Sequence, residues 1–197
     1  MTTADQTQST YPARLNIDYV GSGRNRLTTF FRNITAIPIW VVMIALGTTM
    51  NAPLVLPALL MIVFRQKYPR WWFDFNLEYQ RFSMRVNSYT SLMTDEYPST
   101  DDTQGVHLDI DYPDATQLNR FMPLFKWILL APHYVALVVL WIILAIVIFL
   151  SWVVILFTGK FPQGLHNYIV GVNRWGVRVM AYGFLLTTDQ YPPFSLD

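Results

Sequence analysis

Cysteine is absent from this chain, which excludes disulfides, zinc–thiolate sites, iron–sulfur clusters and cysteine nucleophiles together. Charge is scarce: only 14% of the 197 residues are Asp, Glu, Lys or Arg, against about 25% in a soluble domain. The 14 basic and 13 acidic residues nearly cancel, so no nucleic-acid-binding surface is expected. In place of charge the chain is 53% hydrophobic and 16% aromatic, whereas a disordered chain is poor in both. The composition is that of a small integral membrane protein.

Charge vanishes from two stretches, 33–64 and 127–159, the second broken only by His133. Each far exceeds the roughly 18 apolar residues of a membrane-segment candidate. The first contains a turn signal from Gly47 through Asn51-Ala52-Pro53, because proline lacks an N–H and restricts its predecessor to extended backbone. It is therefore read as a hairpin of helices over about 26–49 and 53–66, and the second run as arms over about 118–140 and 142–158. With both runs as hairpins all 14 basic residues fall on one face, as the positive-inside rule requires. The polar start, Met1 to Asn16, has no apolar core of a signal peptide. A multi-pass protein of the bacterial inner (cytoplasmic) membrane, with both termini cytoplasmic, is expected.

The chain repeats itself. Leu15-Asn16-Ile17-Asp18-Tyr19 returns as Leu108-Asp109-Ile110-Asp111-Tyr112, Pro38 as Pro132, Lys67 and Pro69 as Lys160 and Pro162, and Arg81, Arg85 and Tyr89 as Arg174, Arg178 and Tyr182. A polar tail over 1–10 precedes copy one (11–98), and a linker over 99–105 leads to copy two (106–197). Each copy reads as a short alternating strand, a transmembrane helical hairpin, an amphipathic interfacial helix and an extended Tyr-Pro exit. The overall class is an all-α membrane protein with a tandem parallel repeat, its pseudo-twofold along the membrane normal. The two strands are expected to pair, since a lone strand is unstable in water. In the third helix Trp72, Phe75, Tyr79, Phe82, Val86 and Tyr89 step by three and four residues, one apolar seam. Trp71, Trp72, Tyr89, Trp175 and Tyr182 are the expected interfacial anchors.

Several of these residues carry a resemblance. Phe157-Thr158-Gly159-Lys160-Phe161-Pro162, Gly164-Leu165, Arg174-Trp175, Arg178, Ala181-Tyr182 and Tyr191-Pro192-Pro193-Phe194 resemble the signature of a bacterial membrane family catalogued as domain of unknown function 4389. Tyr11-Pro12-Ala13-Arg14-Leu15 and the Ile37-Pro38 and Ala131-Pro132 dipeptides are similar to it as well. Copy one departs at Gln66 and Trp71, where copy two has glycine, so its turn there is expected to differ. The resemblance implies fold and location, and no activity or ligand.

Chemistry is sparse. His107, His133 and His166 have Arg14, Ile39 and Phe73 as counterparts, so no convergent imidazole set, metal or cofactor is expected. There is no phosphate loop, nucleophile elbow or HExxH, and an enzyme is not expected. Asp18 and Asp111 recur at strand ends as structural partners. Arg81/Arg85 and Arg174/Arg178 stand one turn apart, where they either grip anionic lipid phosphates or lock onto Asp18, Asp111 and strand carbonyls. The leading expectation is a non-enzymatic scaffold or accessory subunit, acting as a homo-oligomer or within a membrane complex. Gly171, Gly176 and Gly183 permit close helix approach. Membrane lipid is the other expected partner, with no nucleic acid and no small-molecule substrate. The alternative is an oligomeric channel lined by Thr48, Thr49, Asn51 and Ser151, or a lipid-binding, lipid-handling protein.

Overall fold

The computed structural model describes residues 11–48 and 55–197. Copy one contains β1 (Ala13–Ile17), α1 (Arg26–Phe30), α2 (Arg32–Thr35), α3 (Ile37–Thr48), α4 (Val55–Arg65) and α5 (Arg70–Thr90). Copy two contains β2 (Val106–Ile110), α6 (Met122–Leu129), α7 (Ala131–Thr158) and α8 (Gln163–Gly183). The protein is mostly helical, with one short antiparallel strand pair.

β1 and β2 pair in the register Ala13↔Ile110, Leu15↔Leu108, Ile17↔Val106. Leu15 and Leu108 are the repeat equivalents, so the pairing maps onto itself and a pseudo-twofold passes through this central pair. Both strands bury every second residue. Their apolar faces rest on the long helices of the opposite copies, β1 on α8 and β2 on α5. Arg174 Nε donates to the Leu15 carbonyl at 3.1 Å and Arg81 Nε to the Leu108 carbonyl at 2.9 Å, so the strands are exchanged between copies when each strand is counted with the helices that follow it.

Beyond α5 and α8 lies a third layer. Ile39 of α3 packs on Phe82, Val86 and Tyr89 of α5; Leu137 of α7 packs on Trp175, Val179 and Tyr182 of α8. On α8, Arg174 and Trp175 thus face opposite layers, as the 100° step between helical neighbours allows.

The second apolar run is one unbroken helix. α7 has 28 residues, about 42 Å long, and continues through 140–142, which corrects the two-armed hairpin. No glycine or proline interrupts that stretch, so nothing opposes continued helical hydrogen bonding. In copy one α3 and α4 occupy the matching span, and the turn expected over 47–53 lies largely outside the described residues. The expected first helix is segmented at Phe31 and Ala36 into α1, α2 and α3.

The course of α7 also bears on the arrangement of the repeats. It starts after α6 in copy two, and at its far end the Gly159 carbonyl accepts from Arg24 N and the Thr29 carbonyl accepts from Trp152 Nε1 at 3.2 Å. A helix joining twofold-related places runs across the twofold axis. Membrane-crossing by α7 and a twofold along the membrane normal therefore exclude one another.

The turn after α4 does not differ as expected. Gln66 takes φ +46° where Gly159 takes φ +67°, so copy one keeps the left-handed turn without glycine, at about 1–2 kcal/mol. Leu92 and Leu186, also left-handed at φ +65° and +58°, are both buried; the reversal there sends the following carbonyls back toward the helix ends.

Candidate functional site

Each copy is tied at one end by a buried cation. In copy two Asn119 accepts from Phe121 N and Met122 N through Oδ1, capping the approach to α6, while its own N–H donates to Asp189 at 2.7 Å. Lys126 is fully buried. Its ammonium donates to the Thr188 carbonyl at 2.6 Å, lies 2.8 Å from Asp189 Oδ1 and sits 4.7 Å from the centre of the Tyr182 ring. Burial pushes this lysine below its ordinary pKa, and the Asp189 hydrogen bond and charge oppose that.

Copy one repeats the device with arginine. Asn25 caps α1 and donates its N–H to Asp95 at 3.0 Å. Arg32 donates to the Tyr89 and Thr94 carbonyls and to Asp95, with Tyr89 stacked 4.2 Å from its guanidinium. A second guanidinium joins: Arg24 donates to the Met93 carbonyl and lies 3.8 Å from Asp95. Leu118 occupies its place in copy two. Burial lowers the pKa of Arg24, Asp95 opposes, and the charge of Arg32 adds to the lowering.

The four recurring arginines are spread along the long helices. Arg81 and Arg174 hold the exchanged strands, and Arg81 also pairs with Glu78 at 2.7 Å and Asp109 at 3.0 Å. Arg85 donates to the Ser99 carbonyl and Arg178 to the Ser195 and Asp197 carbonyls, securing the extended exits. Asp111 pairs with Arg14 at 2.6 Å and Asp18 faces His107 at 3.4 Å, both on the exposed strand face. Trp71 is 68% exposed, and Trp72 is half-buried. Tyr89, Trp175 and Tyr182 lie inside the protein instead, Tyr89 and Tyr182 beneath the buried cations and Trp175 donating to His133 Nδ1 at 2.9 Å.

His166 is packed against Tyr19 and Phe161, away from His133, which stacks on Phe194. Among the described residues no three His, Asp or Glu gather in metal-binding geometry. Ser151 donates its hydroxyl to the Val147 carbonyl; Thr49 and Asn51 lie outside the described residues.

A groove opens beside the copy-one cation. It has a volume of about 340 Å³, with Arg32, Asn33 and Thr90 at its polar end and Ile148, Phe149 and Trp152 of α7 along its apolar wall. In copy two the counterparts of Asn33 and Thr90 are Trp127 and Gly183, and the Trp127 indole donates to the Gly183 carbonyl at 2.8 Å.

The family model described as domain of unknown function DUF4389 matches residues 26–100 and again 123–195. The chain belongs to the DUF4389 family. Each matched segment contains the cation, the long helix and the aspartate of one lock; β1 and β2 precede the segments. No curated protein and no solved structure matches the chain. The signal for the locks was present in the sequence: Arg32 and Asp95 precede Lys126 and Asp189 by 94 positions each, the same offset as the repeat.

Proposed function

We propose that this DUF4389 protein is a non-enzymatic scaffold or accessory subunit of the bacterial inner membrane, self-associating or docked on a larger membrane complex. The observation that carries the membrane reading is α7. It is the one described helix long and apolar enough to cross a membrane, and only 11% of its apolar stretch is buried in the protein. A helix apolar on all sides needs a protein core or lipid around it, and Val135, Ile142, Ile146 and Phe149 are each more than half exposed.

The layered fold favours α7 lying in the plane of one leaflet. The exposed strand face carries Arg14, Asp18, His107, Asp109 and Asp111, while the opposite layer presents α3 and α7. Were α7 upright, the strands at the middle of the long helices would hold those charges near the bilayer midplane, at several kcal/mol each. The second reading, a multi-pass protein with both termini cytoplasmic, is favoured by the length of α7, which exceeds the roughly 30 Å hydrocarbon core.

The chain has no cysteine of its own, so single cysteines at Gln117 and Lys160, flanking the ends of α7, test the two directly. Labelling of both from one side of sealed vesicles supports the in-plane arrangement; labelling from opposite sides refutes it. Recovery of the protein in the soluble fraction refutes the membrane reading altogether. A strictly monomeric protein with no co-purifying partner in mild detergent refutes the scaffold.

A further inference from the structure

The two copies balance their buried charges differently. In copy two one lysine faces one aspartate. In copy one Arg24 and Arg32, 6% and 2% exposed, share Asp95, so this lock holds one positive charge more than its carboxylate balances. The Nε atoms of both arginines are buried without a hydrogen-bond partner among the described residues. A buried unpaired charge is costly, and proteins offset it with a counter-charge.

The groove beside Arg32 is shaped for a molecule carrying that counter-charge. Its polar end combines the Arg32 guanidinium with the Asn33 amide and the Thr90 hydroxyl, which otherwise donates to the Val86 and Asn87 carbonyls of its own helix; its wall is apolar and belongs to α7. Copy two keeps a cation at the matching place, Lys126, but not the rest of the polar arrangement: Leu118 replaces the extra arginine, and Trp127 packs over Gly183 where Asn33 and Thr90 stand in copy one. We infer that the groove holds one anionic phospholipid, its phosphate at Arg32, Asn33 and Thr90 and an acyl chain along Ile148, Phe149 and Trp152. Guanidinium is the side chain best suited to phosphate oxygens. A volume of about 340 Å³ lies at the small end of ligand pockets, enough for a headgroup and part of a chain whose remainder stays in the leaflet.

The inference rests on the membrane reading above. The test is native mass spectrometry of the intact protein released from nanodiscs of phosphatidylglycerol mixed with phosphatidylcholine. One phosphatidylglycerol retained per chain is expected. Asn33→Trp with Thr90→Gly rebuilds the closed copy-two arrangement and lowers retention at least tenfold; Arg24→Leu lowers the preference for phosphatidylglycerol over phosphatidylcholine by a similar factor. Equal retention of the two lipids, or unchanged retention in the double variant, overturns the proposal. So does glycerol phosphate or oleate competing as well as phosphatidylglycerol, because the site would then recognise only half of the lipid. A protein that pellets with membranes yet keeps no anionic lipid refutes this site alone, whereas a soluble protein refutes the membrane reading.

Discussion

Asp189→Asn removes the counter-charge of Lys126 while keeping an acceptor for the Asn119 N–H. The lysine is fully buried, and the aspartate side chain is 27% exposed. Breaking a buried pair by removing one partner costs about 3–5 kcal/mol, because a charge is left without compensation. Lysine has an escape, since it can release its proton. Bringing its pKa from 10.5 to neutrality is worth about 4.8 kcal/mol at about 1.4 kcal/mol per pH unit, which caps the penalty. For a chain of this length about 2–4 °C of melting temperature accompanies each kcal/mol, so the variant should melt about 6–20 °C lower. Tryptophan-fluorescence melts in one detergent measure this. Lys126→Met combined with Asp189→Asn should recover most of the loss, since an uncharged thioether packs well against the Tyr182 ring. In copy one Asp95→Asn should cost at least as much, because two guanidiniums lose their carboxylate and neither can deprotonate. A loss below about 1 kcal/mol for Asp189→Asn, or a double variant as poor as the sum of its parts, would refute the reasoning.

The helix glycines separate cleanly: a methyl at Gly171 would lie 2.8 Å from the Leu196 carbonyl, whereas one at Gly176 meets nothing within 4 Å. Gly171→Ala should cost about 1–3 kcal/mol by pushing away the exit held by Arg178, while Gly176→Ala should gain up to about 1 kcal/mol in helix propensity; paired thermal melts decide, and the reverse order would refute the placement. Tyr68 donates to the Leu185 carbonyl at 2.6 Å, and burial raises its pKa above the ordinary 10. Its contribution is whole below pH 10 and is lost as pH climbs toward the raised folded value, so melting temperatures should fall above pH 10 and fall less steeply in Tyr68→Phe. An unchanged alkaline slope in that variant would contradict the assignment. Fragments 1–102 and 103–197, co-expressed with a tag on one, should co-purify, because β1 rests on α8 and β2 on α5; fragments that fold and elute separately would show that the strands are not exchanged.

The repeat was legible because its 93–94-residue offset survives in residues of distinctive chemistry, and the alternation of Leu15 and Ile17 with Asn16 and Asp18 was enough to expect paired strands. What stayed hidden was which copy each element touches. Likeness between Arg81 and Arg174 says that they do the same work, and nothing in it says that each reaches the other copy's strand. The locks do not stand out in the sequence although their offset matches, because Arg32 and Lys126 differ in type and fall within segments expected as membrane arms. Tyr89, Trp175 and Tyr182 follow the spacing of interfacial anchors, but an aromatic ring beneath a buried cation or beside a histidine has the same helical period. A hairpin in the second run follows from charge counting only if the helices stand upright in the membrane. A helix lying across the twofold axis carries the same sequence and evades the rule.

The pseudo-symmetry separates what holds the fold from what can serve another purpose. Contacts made twice, the Asn-capped cation–aspartate locks and the exchanged strands with their arginines, bind the two copies into one body and need no ligand to explain them. Contacts made once are different. Asn33 against Trp127 and Thr90 against Gly183 lie on a single groove, Arg24 against Leu118 lies in the lock beside it, and each difference makes copy one more polar or more open. Closing that groove as copy two does would replace a polar rim by an indole and remove a buried charge, changes that on packing grounds favour stability. A fold that demonstrates the closed solution in one half and carries the costlier open one in the other has its strongest case for a bound partner at that groove.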